Sequence, residues 1–302
     1  MMRPDPLRPG DKVALLAPSG PVPSGRLPAI VQGIRDMGLE PVVYESLYGR
    51  HGYLAGSDEL RAADLNRAFK DPEIRGVLCV RGGYGAQRIL PLIDFENIRR
   101  NPKLFLGYSD ITALHIAIGQ ICNLATFHAP MPGTWFELKD EYAIGELKRV
   151  LFTNAAGPLR NHPAQSLNHL RGGRARGLLT GGNLSLVASS LGTPWEIDTR
   201  GKILFLEEVG EEPYRVDGMM AHLRNAGKFK DCAGILLGAF TKAEAGEPER
   251  SLSLDQVFDE LLPMDKPCIR NLSCGHVDYS LSLPMGREIA MDADALSLEI
   301  ME

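Results

Sequence analysis

The chain has 302 residues and a mass of 33.0 kDa, enough at roughly 100–200 residues per domain for two domains with full cores. Apolar residues at 44% and charged residues at 24% are ordinary globular usage and exclude a disordered or fibrous chain. Net charge is −5 with dispersed basic residues, which excludes a nucleic-acid binder, and no apolar run reaches the roughly 18 residues of a spanning helix.

Met1-Met2-Arg3-Pro4-Asp5-Pro6 has no apolar core, so no secretory signal is expected and the cytoplasm is the expected compartment. Five cysteines, Cys79, Cys122, Cys232, Cys268 and Cys274, lack paired metal spacing and are expected to be reduced core residues.

Short apolar runs alternate with helix-period segments through the first half. Strands are expected at 12–17, 40–44, 76–80 and 104–107. Helices are expected around Ile30, Ile34 and Met37, and over 57–69, 87–93 and 111–120. This pattern predicts an α/β fold whose N-terminal domain, residues 1–152, is a parallel, Rossmann-like sheet covered on both faces. Ligands on such sheets sit beyond the carboxyl ends of the strands. Residues 153–173 turn polar and irregular and are expected to be a linker. Residues 174–302 form a second, mixed α/β domain: strands at 174–179, 202–207, 234–237 and 267–272, and helices over 184–191, 213–226 and 254–262.

The segment Gly107-Tyr108-Ser109-Asp110-Ile111 joins an apolar strand to a helix, with Ser109 at the apex of the turn. A serine there exposes its hydroxyl at the strand end, beside helix amides without intrahelical acceptors. The full Gly-x-Ser-x-Gly pattern is missing, and a helix N-cap is the plain alternative for Ser109. A hydroxyl needs a base. His276, in a loop after the strand at 267–272, is the foremost candidate, with His128 a weaker one. His115 lies six residues along the helix from Ser109 and points away, as a packing residue. The apolar strand 202–206 ends in Glu207-Glu208; strand alternation lets only one of these face a shared site, and Glu207 is preferred as the carboxylate that orients the histidine. An exposed acidic strand end is the alternative.

Arg81-Gly82-Gly83-Tyr84-Gly85 follows another strand. It is no dinucleotide loop, because the third glycine is missing and the motif opens after the third strand. Amides of Gly82 or Gly83 could complete an oxyanion hole with that of Asp110, and Arg81 is a candidate anchor for a substrate carboxylate. His276-x-Asp278 offers only two ligands and no His-Glu-x-x-His helix occurs, so neither metal nor cofactor is expected.

Six ordered blocks together resemble the LD-carboxypeptidase family of serine peptidases, which includes muropeptide carboxypeptidases and microcin C self-immunity peptidases. They are residues 10–20, 81–85, Gly107-Tyr108-Ser109-Asp110-Ile111-Thr112, Gly181-Gly182-Asn183-Leu184, the segment 206–215 and Gly275-His276. The resemblance implies a Ser109, His276 and Glu207 triad assembled between the domains, and release of terminal D-alanine from cytoplasmic cell-wall tetrapeptides. It also implies a homodimer, and it makes Asn183 and Trp195 candidate substrate contacts. The alternative within the family is hydrolysis of peptidyl-nucleotide or acyl-sulfamoyl adenylates, for which Trp135 and Phe136 could offer an aromatic platform to the base.

Overall fold

A computed structural model describes residues 1–302. The chain divides into two compact units, Met1–Ala155 with Ser282–Gly286, and Ala156–Leu281 with Arg287–Glu302.

In the first unit the strands are β1 (Lys12–Leu16), β2 (Glu40–Val43), β3 (Ile74–Cys79), β4 (Leu104–Gly107) and β5 (Thr126–His128). They alternate with α1 (Leu27–Asp36), α2 (Asp58–Lys70), α3 (Ala86–Ile89), α4 (Phe95–Arg100) and α5 (Thr112–Cys122), and α6 (Pro132–Trp135) and α7 (Glu141–Phe152) follow. β1 to β5 pair in parallel in the order β5-β4-β3-β1-β2. All four β4 residues are buried, the continuous apolar run of a strand covered on both faces. Each fully buried Leu or Phe here, such as Leu15, Leu106 or Phe105, contributes about 1.5–3 kcal/mol. The helix expected over 87–93 breaks into α3 and a short 3-10 turn at Leu90–Leu92, because Pro91 has no N–H to continue an α-helix. The register pairs Leu16 with Cys79 and Leu78 with Leu106, so the loops after β1, β3 and β4 leave the same edge of the sheet.

The second unit contains β6 (Gly157–Leu159), β7 (Asn168–Arg171), β8 (Arg174–Asn183), β9 (Ile203–Val209), β10 (Gly234–Thr241), β11 (Cys268–Arg270), β13 (Glu288–Asp292) and β14 (Ser297–Ile300). Its helices are α8 (Leu184–Ser189), α9 (Pro213–Asn225), α10 (Lys228–Asp231) and α11 (Leu254–Leu261). The eight strands run β6-β14-β13-β8-β9-β10-β11-β7, with β8 to β11 parallel and the outer pairs antiparallel.

Two features differ from the sequence expectation. Residues 153–173 are not a linker: they supply β6 and β7, the two edge strands of the second sheet. After the second unit is almost complete, β12 (Leu283–Met285) returns to the first and pairs antiparallel with β5, opposing Leu283 to His128. No helix is long and apolar enough to cross a membrane. All five cysteines are buried and unpaired, as expected.

Candidate active site

In the first unit the turn after β4 carries Ser109 at φ +63°, the left-handed region that a non-glycine residue enters at a cost of about 1–2 kcal/mol. Tyr108 before it is extended, and Ser109–Ile111 form a single 3-10 turn leading into α5. The helix N-cap position falls on Ile111 and that of the 3-10 turn on Tyr108, so Ser109 is not the cap. The bend is tight: a Cβ on Gly107 would lie 2.7 Å from the Ile111 side chain, so glycine is required there.

Behind the turn, buried His115 braces the end of β4. Its Nε2 lies 2.9 Å from the Gly107 carbonyl and its Nδ1 2.8 Å from Thr126 Oγ1. A carbonyl only accepts, so Nε2 carries the proton and Nδ1 accepts from the threonine. Burial lowers the His115 pKa to about 4 and keeps the ring neutral. This is the packing role expected from its spacing. His128 is also buried, its ring edge-on to that of Tyr108 at 5.8 Å.

Gly82 abuts the serine from the neighbouring loop: a Cβ there would lie 3.0 Å from Ser109 Cβ and 3.2 Å from Oγ. Its carbonyl accepts from Gly20 N–H at 3.0 Å. Gly83 is exposed at φ +107°, and Arg81 is exposed with its guanidinium donating to the Pro21 carbonyl. Asp110 is buried, and Ser19 Oγ (2.6 Å) and Ala86 N–H (2.8 Å) donate to its Oδ2. Sequence reasoning used only the Asp110 amide and missed this side chain, because its partners lie 91 and 24 residues away.

In the second unit β9 delivers Glu207, fully buried, to its carboxyl end. The chain leaving β11 runs beside β10, with Leu272 N–H on the Leu237 carbonyl at 3.1 Å and Ala239 N–H on the Cys274 carbonyl at 2.9 Å. That path brings His276 to Glu207, with Nδ1 2.8 Å from Oε2. The carboxylate fixes the tautomer with the proton on Nδ1 and the acceptor lone pair on Nε2. Gly275, at φ +127°, permits the approach, since a Cβ there would lie 2.7 Å from Glu207 Oε2. Burial pushes the Glu207 carboxyl above its ordinary range, while the hydrogen bond from His276 acts in the opposite direction.

Glu208 faces the other way, as strand alternation requires. Its Oε1 accepts from Asn183 Nδ2 and Val209 N–H, both at 2.8 Å, and its Oε2 from Ser185 N–H at 2.8 Å and Oγ at 2.6 Å. Asn183, expected as a substrate contact, donates to Glu208 and caps α8 by accepting from Leu186 N–H. Trp195 sits half-buried in a turn, its backbone N–H donating to Thr193 Oγ1 at 3.2 Å. Trp135, weighed as an aromatic platform, is buried with Nε1 donating to the Pro130 carbonyl at 2.7 Å, and Arg26 covers the Phe136 ring at 5.1 Å. No group of three or more His, Cys, Asp and Glu side chains is arranged to hold a metal ion.

A serine on a strained strand-to-helix turn and a carboxylate-bound histidine, each at the carboxyl end of parallel strands, define a two-domain α/β protein with hydrolase-type side chains. Residues 13–129 match the LD-carboxypeptidase N-terminal domain and residues 176–291 the LD-carboxypeptidase C-terminal domain, and the chain belongs to this family. It is 41% identical to the "Probable murein peptide carboxypeptidase" of Bacillus subtilis, over 96% of this chain and 91% of that one. It is 31% identical to the murein tetrapeptide carboxypeptidase of Pseudomonas aeruginosa, over 94% of each. The fold is also that of the microcin C7 self immunity protein in its wild-type apo state: TM-score 0.91 at 23% identity, covering 99% of this chain and 98% of that one.

Proposed function

We propose that the protein is a serine LD-carboxypeptidase that releases the terminal D-alanine from murein tetrapeptides. The observations that carry this are the strained Ser109 turn in one unit and, in the other, a buried Glu207 holding His276 through Nδ1, in a chain of this family. Ser109 Oγ attacks the carbonyl carbon of the penultimate residue while His276 Nε2 takes the hydroxyl proton. Amides of Asp110 and of Gly82 or Gly83 stabilise the tetrahedral oxyanion, each donor worth about 3–4 kcal/mol when measured by removal. The C–N bond breaks, His276 protonates the leaving amine, and D-alanine departs from an acyl-Ser109 ester. Water then attacks the ester, giving its proton to His276, and the tripeptide leaves with Ser109 restored. Glu207 keeps the imidazole in the required tautomer and stabilises its protonated form.

Arg81, exposed beside the glycine loop, is the proposed anchor for the free terminal carboxylate. Work in the cytoplasm as a homodimer is proposed as what the sequence resemblance implies. The adenylate-hydrolysing alternative has less support, since Trp135 is buried and Arg26 already lies over one face of the exposed Phe136 ring.

Labelling by a serine-directed fluorophosphonate, read by mass spectrometry in the presence of EDTA, tests the chemistry. Modification of Ser109 in wild type and its loss in His276→Ala are expected. Equal labelling of both proteins would separate the histidine from the serine and refute the triad.

A further inference from the structure

The Asp110 side chain, as distinct from its amide, has no part in the steps above, yet it is buried beside the nucleophile and holds two other loops. Ser19 belongs to the loop after β1, and Ala86 follows the glycine loop after β3; both donate to the same carboxylate oxygen, Oδ2. Fully buried Arg61, from α2, spans the same two loops, donating to the Pro18 carbonyl and, at 2.9 Å, to the Gly85 carbonyl, and it pairs with Asp58. A third tie, Gly20 N–H to the Gly82 carbonyl, joins the loops directly, and a Cβ on Gly20 would lie 2.9 Å from that oxygen. Gly20 therefore has no room for a side chain against Gly82, a side chain on Gly82 would crowd Ser109, and polar bonds tie the margins of this stack.

We propose that the Asp110 carboxylate is a positioning residue for the Ser109 reaction: by tying the loops after β1 and β3 to the serine turn, it holds the Gly82 amide where the oxyanion develops. The proposal rests on Ser109 being the nucleophile. A buried carboxylate is expensive without donors, so the ionised group and its donors hold each other in place. Oxyanion stabilisation depends on donor placement to within a few tenths of an ångström, so slack in this tie appears in the chemical step more than in substrate binding.

The test compares Asp110→Ala, Asp110→Asn, Ser19→Ala and Ser19→Ala/Asp110→Ala by the rate of Ser109 phosphonylation and by kcat and KM on the tetrapeptide. Asp110→Ala is expected to slow phosphonylation and kcat by about 10- to 100-fold with KM within about threefold. Asp110→Asn, whose amide oxygen can still take the Ser19 and Ala86 donors although its NH2 cannot accept from Gly85 N–H, is expected to be at least about threefold faster than Asp110→Ala. The double variant is expected to be no slower than Asp110→Ala, because both residues act in one network. A rate for Asp110→Ala within about twofold of wild type, a loss confined to KM, or equal losses in the Ala and Asn variants would overturn the proposal. Should Asp110→Ala not fold, Ser19→Ala decides: phosphonylation about three- to tenfold slower supports the positioning role, and an unchanged rate overturns it. Wild type left unlabelled at Ser109 would instead refute the serine reading, and this proposal with it.

Discussion

The Ser109 turn and the Glu207–His276 pair are built by different means. Ser109 is held by backbone: an αL residue, a glycine at 107 that admits the Ile111 side chain, and a glycine at 82 pressed against the hydroxyl. His276 is oriented by a side-chain hydrogen bond to a carboxylate that its own burial disfavours in the charged state. The first region stores strain in φ and the second in desolvation. Both are costs that packing elsewhere offsets, and substitutions separate them because removing the strain and removing the charge affect stability differently.

The largest effect is expected at the nucleophile. Ser109→Ala lowers carboxypeptidase kcat by about 10⁴-fold or more while the fold is kept, checked by steady-state kinetics beside circular dichroism. Glu207→Gln tests the other region: kcat falls by about 10²- to 10⁴-fold, yet melting at pH 8 is no lower than that of wild type. The sign follows from burial, which raises the Glu207 pKa, so that an ionised Glu207 disfavours the folded state and a neutral amide of the same shape does not. A marked fall in melting temperature would show instead that the pair is a net stabiliser.

Gly82→Ala places a methyl 3.2 Å from Ser109 Oγ. It is expected to cost roughly 10²-fold in kcat with little change in melting, which locates the damage in geometry.

His115 sharpens the backbone side of the comparison through pH. Its folded pKa of about 4 lies below the ordinary histidine value of about 6.5. The folded state therefore binds fewer protons in that interval, and stability is intact above 6.5 and falls as pH drops toward 4. The loss is roughly 3 kcal/mol at its limit. Urea titrations at pH 7 and 4.5 should show a smaller pH difference in His115→Gln than in wild type. At Asn183→Ala the expected loss of stability is about 2–4 kcal/mol, from the lost cap of α8 together with the lost donor to buried Glu208, by the same titration.

Much of this was legible in the chain. Continuous apolar runs announced β1, β3 and β4, and strand alternation chose Glu207 over Glu208, which the hydrogen bonds of Glu208 explain. The linker expectation failed because β6 and β7 are edge strands; edges tolerate Pro158 and polar Asn168 and His169, which read as loop. The return of β12 was hidden because three residues around Pro284 carry no period. Asn183 caps α8, a role whose sequence signature is the same as that of a binding asparagine. The tie from Asp110 to Ser19 and Ala86 was invisible for the reason that makes it informative, namely that its partners meet only in the folded sheet.

The most direct measurement is mass spectrometry of an L-Ala-γ-D-Glu-diaminopimelate-D-Ala tetrapeptide incubated with wild type, Ser109→Ala and His276→Ala, with EDTA throughout. Loss of one alanine residue by wild type alone is the predicted result. An intact tetrapeptide with wild type would contradict the carboxypeptidase reading and make sulfamoyl adenylates the next substrates, and cleavage by Ser109→Ala would contradict the mechanism.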